Sequence, residues 1–122
     1  MARILVVDDD DSVRELIKDL LVMNGHAVDT AADGLQALAA ARQAAYDLVV
    51  LDRTMPKADG IMTLAALRAD AKLKTVKVLM CTSASVNKEI EEAFQAGADD
   101  YILKPINIPA LLAKVAKLLG PA

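Results

Sequence analysis

The sequence predicts an α/β domain in which five strands form an open parallel sheet covered by helices on both faces. Short, continuously apolar runs alternate with segments of helical periodicity along the whole chain. Uninterrupted apolar strands that alternate with helices imply a parallel sheet buried on both sides. A closed eightfold barrel of such units needs about twice this length, so a doubly wound sheet fits the 122 residues better.

The first two βα units carry local start and stop signals. An apolar run at residues 4–7 ends in four aspartates, and a helix with apolar residues at helical spacing follows it. Ser12 and Glu15 have capping-box spacing at the start of this helix, and Gly25 suits its end. A weak strand around residues 26–30 leads to an Ala-rich helix that starts at Asp33 and ends near Ala45.

The last three units follow the same plan. Apolar runs predict strands at residues 48–51, 76–81 and 101–103. The helix after the third strand begins near Gly60, and Asn87 and Asn107 are candidate caps for the last two helices. In the helix after the third strand, Ile61, Leu64 and Leu67 are expected to face inward, and the next helix carries Ile90, Ala93 and Phe94. The apolar residues on one face of the last helix are Leu111, Leu112, Val115, Leu118 and Leu119.

Composition excludes several function classes. Hydrophobic residues make up 55% of the chain, which argues against disorder, and 122 residues suit one domain over residues 1–122. A net charge of -3 and only three aromatic residues argue against direct nucleic-acid binding. Cys81 is the single cysteine and reads as a buried, inert thiol in a reducing compartment. With neither a signal peptide nor a membrane span in the sequence, we expect a cytoplasmic protein without membrane contact.

Polar side chains follow four of the five predicted strands. Asp8 and Asp9 follow the first, Asp52 the third, Thr82 the fourth and Lys104 the fifth. The carboxyl ends of parallel strands lie at one rim, where open α/β sheets bind ligands. Each pair of carboxylates about 4 Å apart would repel by roughly 4 kcal/mol at an effective dielectric constant near 20. A hard divalent cation such as Mg²⁺ relieves that repulsion, and an aspartate beside it can accept a phosphoryl group.

Short motifs in chain order give these residues a family resemblance. They are Asp8-Asp9, Met55-Pro56 and Asp59-Gly60 behind Asp52, Thr82-Ser83-Ala84, Gln95-Ala96-Gly97-Ala98, and Lys104-Pro105. Together they resemble the receiver domain of two-component response regulators over essentially the whole chain. The resemblance implies a flavodoxin-like (βα)5 fold with strand order 2-1-3-4-5 and a cis peptide before Pro105.

The resemblance also implies a role for each residue of the rim. Asp52 would be the phosphoacceptor, and Mg²⁺ would bind Asp9, Asp52 and the backbone carbonyl of Thr54, with Asp8 acting through a metal-bound water. Thr82 and Lys104 would hold the phosphoryl oxygens. Tyr101 matches the aromatic position that responds when Thr82 moves, although a half-buried strand-end tyrosine is the alternative.

Three positions depart from the usual family pattern, namely Arg53, Thr54 and Ser83. They bear on the lifetime of the phosphorylated state and on the partner, but they remove no chemical requirement of the site. Asp10 and Asp11 are better explained as helix-start residues than as ligands. His26 reads as structural or exposed, because the chain has no second histidine.

The predicted function is a phosphorylation-controlled binding module of a two-component or phosphorelay system, and not an enzyme beyond its own phosphoryl transfer and dephosphorylation. A sensor histidine kinase or phosphotransfer protein would donate the phosphoryl group. A downstream protein would read the surface of the fourth helix, fifth strand and fifth helix.

Three alternatives stay open. The chain could be a receiver fragment of a larger regulator or hybrid kinase. It could be a Mg²⁺-dependent phosphohydrolase, although Thr54 stands where such enzymes commonly have a second aspartate. A flavin-binding domain would need a hydroxyl- and glycine-rich loop after the first strand, where this chain has aspartates.

Overall fold

A computed structural model describes residues 2–53, 60–82 and 87–120, except the side chains of residues 87–89. Strands and helices alternate through these residues. The strands are β1 (Arg3–Val7), β2 (Ala27–Ala31), β3 (Leu48–Asp52), β4 (Lys77–Thr82) and β5 (Asp100–Leu103). The helices are α1 (Asp11–Met23), α2 (Gly34–Gln43), α3 (Gly60–Ala69), α4 (Asn87–Gln95) and α5 (Ile108–Leu119).

The five strands form one parallel sheet in the order β2-β1-β3-β4-β5. The prediction of a doubly wound sheet with this strand order is therefore confirmed. In register, Val7 lies beside Leu51 and Asp52 beside Cys81. The carboxyl ends of β1, β3 and β4 consequently finish at one rim, and their last residues position the candidate site.

Two hydrophobic layers cover the two faces of the sheet, because successive strand residues point to opposite sides. On one face, Val49 and Leu51 pack with buried residues of α2, α3 and α4. On the other face, Leu48 and Val50 pack with buried residues of α1 and α5. β3 is buried over its whole length, as its uninterrupted apolar run predicts. No helix in the described part of the chain is both long and apolar enough to cross a membrane.

The helix caps agree with the sequence in two cases and differ in one. Asp33 caps α2 by accepting from the Gln36 amide, and Asn107 caps α5 by accepting from the Ala110 amide. The capping box predicted at the start of α1 is wrong, because Asp10 is the N-cap and accepts from the amides of Ser12 and Val13. The choice among four consecutive aspartates depends on where β1 ends, which spacing alone does not fix. The predicted cap role of Asn87 concerns a side chain outside the described residues.

Several element boundaries lie one or two residues from their predicted positions. β2 and β4 each end one residue later than predicted, and α2 ends at Gln43. Phe94 of α4 does not enter the core, since it is 43% exposed. The ring of Phe94 packs edge-on against Tyr101 of β5, with the ring centroids 5.8 Å apart.

Candidate metal centre

Three carboxylates meet at the rim where β1 and β3 end. Asp8, Asp9 and Asp52 each offer an oxygen, and these oxygens lie within 4.8 Å of one another. Asp8 and Asp52 are 1% and 4% exposed, whereas Asp9 is exposed to solvent. The two buried carboxylates are thus held next to an exposed one, which leaves the cluster open to an incoming ion.

Lys104, the residue after β5, brings a positive charge to the same cluster. Its Nζ lies 3.1 Å from Oδ2 of Asp8 and 3.2 Å from Oδ1 of Asp52. Burial lowers the pKa of Lys104, but the hydrogen bond to Asp8 and the charges of Asp52 and Asp8 outweigh it, so the pKa lies above its ordinary value. Three carboxylates and one ammonium group leave the cluster negatively charged, and such a cluster attracts a divalent cation.

Backbone contacts fix the position of Asp8. Its Oδ1 accepts a hydrogen bond of 2.9 Å from the Asp10 amide, and its own amide donates to the carbonyl of Ala31 in β2. Its carbonyl accepts from Nη1 of Arg14, which also pairs with Asp11 on the first turn of α1. Arg14 was not singled out from the sequence, although its position three residues after Asp11 on a helix is a usable signal.

The backbone beyond Asp52 is packed against the start of α3. The amide of Arg53 donates to the carbonyl of Cys81, and the carbonyl of Arg53 accepts from the amide of Gly60. A Cβ at Gly60 would lie 2.4 Å from the carbonyl oxygen of Asp52. A glycine is therefore required here for steric reasons, and this close packing fixes the end of β3.

Thr82 and Lys104 are linked through the backbone at the ends of β4 and β5. The Lys104 amide donates to the Thr82 carbonyl at 2.8 Å, and Thr82 is 5% exposed. The peptide between Lys104 and Pro105 is cis, as the resemblance implies. The structure therefore brings Asp8, Asp9, Asp52 and Lys104 together and places Thr82 on the neighbouring strand end.

Tyr101 lies on β5, half-buried between α4 and α5. Besides the contact with Phe94, its ring lies 5.1 Å from Nζ of Lys114, which also pairs with Asp100 at 3.0 Å. The ring is thus held by an aromatic neighbour and by a cation. The predicted role of Tyr101 in transmitting a change from Thr82 stays a prediction.

Some predicted features lie outside the described residues. They are the Thr54 carbonyl, Met55-Pro56, Asp59 and Ser83-Ala84. A further contact of the site has no sequence signal: Arg53 pairs with Glu92 of α4, 39 residues along the chain.

Comparison with known proteins adds an independent finding. The family described as the response regulator receiver domain matches residues 4–116. The chain is 39% identical over 119 residues to the DNA-binding dual master transcriptional regulator RpaA of Synechocystis sp., covering 98% of this chain but 49% of RpaA. It is 40% identical over 117 residues to chemotaxis protein CheY-3 of Vibrio cholerae, covering 95% of this chain and 90% of CheY-3.

Solved structures share the fold. Chemotaxis response regulator CheY4 of Vibrio cholerae superposes with a TM-score of 0.92 at 34% identity, over 97% of this chain and 98% of CheY4. The receiver domain of a sensor histidine kinase from Pseudomonas aeruginosa, described with a magnesium ion coordinated in its active site cleft, superposes with a TM-score of 0.90 at 28% identity. That match covers 98% of both chains.

Proposed function

Because the chain belongs to the response regulator receiver domain family of two-component systems, we propose that it carries a phosphoryl group on Asp52 in a Mg²⁺-dependent reaction. One observation carries this proposal above the others. Two buried carboxylates and an exposed one converge on a single rim, with the ammonium group of Lys104 between the buried pair. Burying charged groups costs folding free energy, so such a cluster is better explained by a function than by packing of the core.

The donor set fits Mg²⁺. Carboxylate oxygens are the hard ligands that Mg²⁺ takes, and Asp9 and Asp52, with Asp8 through a water, would hold it. A bound Mg²⁺ would supply charge neutralisation for the carboxylates and for the oxygens of the phosphoryl group. The magnesium-bearing receiver domain of the Pseudomonas aeruginosa kinase supports this choice of metal.

The residues of the chain have complementary parts in the transfer. An oxygen of Asp52 attacks the phosphorus of the donor, so that a new P–O bond forms while the bond to the donor breaks and the donor keeps that electron pair. Lys104 balances the charge gathering on the phosphoryl oxygens, and the Thr82 hydroxyl donates a hydrogen bond to one of them. Because Thr54 stands where phosphohydrolases with an aspartyl nucleophile commonly have a second aspartate, we infer a switch rather than an enzyme acting on other substrates.

The proposed partners follow from the family. A sensor histidine kinase or a phosphotransfer protein would donate the phosphoryl group, and a downstream protein would read the surface of α4, β5 and α5. The chain spans nearly all of CheY-3 and half of RpaA, so a free-standing receiver and a fragment of a larger regulator both accord with these matches. A cytoplasmic location without direct contact to nucleic acid or membrane completes the proposal.

The test is phosphorylation by a small donor. We expect acetyl phosphate to label the protein only with Mg²⁺ present, and the label to be removed by hydroxylamine, as an acyl phosphate is. Asp52→Asn keeps the shape of the side chain but lacks the nucleophilic oxygen, so it should stay unlabelled. Asp47→Asn is the matched control, because this exposed aspartate directly precedes β3 and so lies at the edge of the sheet opposite to Asp52. Labelling of Asp52→Asn at the parent level would rule out Asp52 as the acceptor, and steady turnover of a phosphomonoester would favour a phosphohydrolase.

A further inference from the structure

Arg53, the residue after Asp52, forms an ion pair that the proposed phosphoryl transfer does not use. Its Nη2 lies 2.9 Å from Oε2 of Glu92 on α4. The Arg53 side chain is 19% exposed and the Glu92 side chain 45%, so the pair is partly shielded from water. It joins the end of the acceptor strand to a helix 39 residues further along the chain.

The backbone of Arg53 is a fixed anchor for this pair. Its amide donates to the Cys81 carbonyl at 2.9 Å, and its carbonyl accepts from the Gly60 amide at 2.8 Å. Gly60 packs so closely that a Cβ there would lie 2.6 Å from Cα of Arg53. Since the anchor cannot readily shift, the ion pair constrains the position of α4 relative to the acceptor strand.

The described side chains of α4, at residues 90–95, bury little apolar surface. Ala93 alone among them is buried, Ile90 is partly buried, and Phe94 is exposed apart from its edge-on contact with Tyr101. By contrast, α1 buries Ile17 and Leu21 completely. Because the described side chains of α4 bury so little apolar surface, a partly shielded ion pair contributes noticeably to the free energy that keeps the helix docked on the sheet.

We propose that the Arg53–Glu92 pair is a latch that holds α4 against the acceptor strand and opposes the phosphorylated arrangement of the protein. The inference rests on the proposed function of Asp52. β4 ends at Thr82 and α4 starts at Asn87, so we expect a movement of Thr82 toward a phosphoryl group to displace α4 as well. Any shift of α4 away from Arg53 stretches the pair, and the energy needed for this opposes phosphorylation by the same amount.

The latch and simple electrostatics predict opposite changes in the affinity for a phosphoryl mimic when Arg53 is neutralised. Removing the positive charge of Arg53 beside an anion site should weaken anion binding if charge alone matters. If the pair is a latch, neutralising either partner frees α4 and tightens binding of a phosphoryl mimic. The two explanations therefore give opposite results for Arg53→Gln and the same result for Glu92→Gln.

The experiment measures beryllofluoride affinity in saturating Mg²⁺ and amide hydrogen exchange of α4 without beryllofluoride. We expect Arg53→Gln and Glu92→Gln each to tighten beryllofluoride binding by roughly two- to fivefold, the range of a partly exposed ion pair. Adding Glu92→Gln to Arg53→Gln should change neither readout further, since the pair can be broken only once. Amides of α4 should exchange faster in all three variants. Glu91→Gln on the same helix and Arg42→Gln on α2 are charge-matched controls that should leave both readouts unchanged.

Three results would each contradict the latch. The first is weaker beryllofluoride binding by Arg53→Gln than by the parent, and the second is additive effects in the double variant. The third is an effect of Glu91→Gln as large as that of Glu92→Gln. Should a single variant fold poorly, the reversed pair Arg53→Glu with Glu92→Arg must restore parental exchange in α4, and failure to do so counts against the latch. If the parent binds no beryllofluoride, the proposed function fails, and the exchange measurement alone then decides whether the pair holds α4.

Discussion

At the scale of single residues, the ion pairs of Lys104 offset the repulsion among the buried carboxylates when no metal is bound. Its ammonium group lies within 3.2 Å of both buried carboxylates, and its side chain is 23% exposed. Breaking such a pair by removing one partner leaves a buried charge without compensation. Lys104 therefore stabilises the fold. By the proposed function, its ammonium group also binds the oxygens of the phosphoryl group on Asp52.

We expect Lys104→Met to destabilise the metal-free protein by about 3 kcal/mol, at the low end for a broken buried pair because Lys104 is partly exposed. Mg²⁺ should recover most of that loss, since a divalent cation also neutralises Asp8 and Asp52. Urea unfolding in EDTA and in excess Mg²⁺ measures both parts. Lys114→Met, which breaks the pair with Asp100 away from the cluster, is the control and should show no recovery by Mg²⁺. An equal loss with and without Mg²⁺ would show that Lys104 and Mg²⁺ do not neutralise the same carboxylates.

Cys81 leads to a prediction about alkaline pH. Burial raises the pKa of its thiol to about 12 from 9.0, reinforced by the charges of Asp52 and Asp8 and opposed by Lys104. A raised pKa stabilises the fold at pH values below 9.0, and this contribution is lost as the pH rises toward 12. The free energy of unfolding should therefore fall more steeply above pH 9 in the parent than in Cys81→Ala. Equal slopes in urea titrations between pH 8 and pH 11 would contradict the prediction.

At the scale of elements, the start of α1 is set by one aspartate out of four. Oδ1 of Asp10 lies 2.9 Å from the Ser12 amide and 3.2 Å from the Val13 amide. These two bonds satisfy amides that have no partner inside the helix. The carboxylate of Asp10 consequently caps the helix, while those of Asp8 and Asp9, the two preceding residues, belong to the acidic cluster.

Asp10→Ala should destabilise the protein by about 1 kcal/mol, the usual loss for an N-cap. Ser12→Ala should change the free energy of unfolding by less than about 0.5 kcal/mol, because its side chain is exposed on the first turn. Urea unfolding in EDTA keeps changes in metal affinity out of the comparison. A larger loss in Ser12→Ala than in Asp10→Ala would restore the capping box that the spacing of Ser12 and Glu15 predicts.

Local patterns predict most of the elements, because hydrophobic periodicity and capping residues act within a few positions of the chain. They do not predict contacts made by long polar side chains. Arg68 at the end of α3 donates to the carbonyls of Val76 and Gly97 and to the carboxylate of Asp99, up to 31 residues away. No spacing rule marks such a residue, and the same holds for the pair between Arg53 and Glu92.

At the scale of the whole molecule, the sheet order creates the site. Lys104 reaches Asp8 across 96 residues of sequence, which is possible because β1, β3, β4 and β5 end at the same rim. The polar residues that follow apolar strands in the sequence predict which side chains lie together at this rim. The order of the strands came from the resemblance to receiver domains, since periodicity does not say which strands are neighbours.

We propose that the same arrangement carries a change at Asp52 to the outer surface. Thr82 ends β4 one residue beyond Cys81, which is the register partner of Asp52. Tyr101 lies on the neighbouring strand β5, where Phe94 and Lys114 contact its ring. A phosphoryl group on Asp52 adds acceptor oxygens for the Thr82 hydroxyl. If Thr82 moves toward them, the packing around Tyr101 changes, and α4, β5 and α5 change with it.

Thr82→Ala should therefore separate the chemistry from the signal. The variant keeps Asp8, Asp9, Asp52 and Lys104, so it should still bind beryllofluoride with Mg²⁺, though about two- to tenfold more weakly for the lost hydrogen bond. Amide chemical shifts should change throughout α4, β5 and α5 in the parent, but only near Asp9 and Asp52 in the variant. Thr30→Ala on β2 is the control and should respond like the parent. Parental shift changes confined to the rim, or full changes at Tyr101 in Thr82→Ala, would show that Thr82 does not carry the signal, because a partner can distinguish the two states only where their surfaces differ.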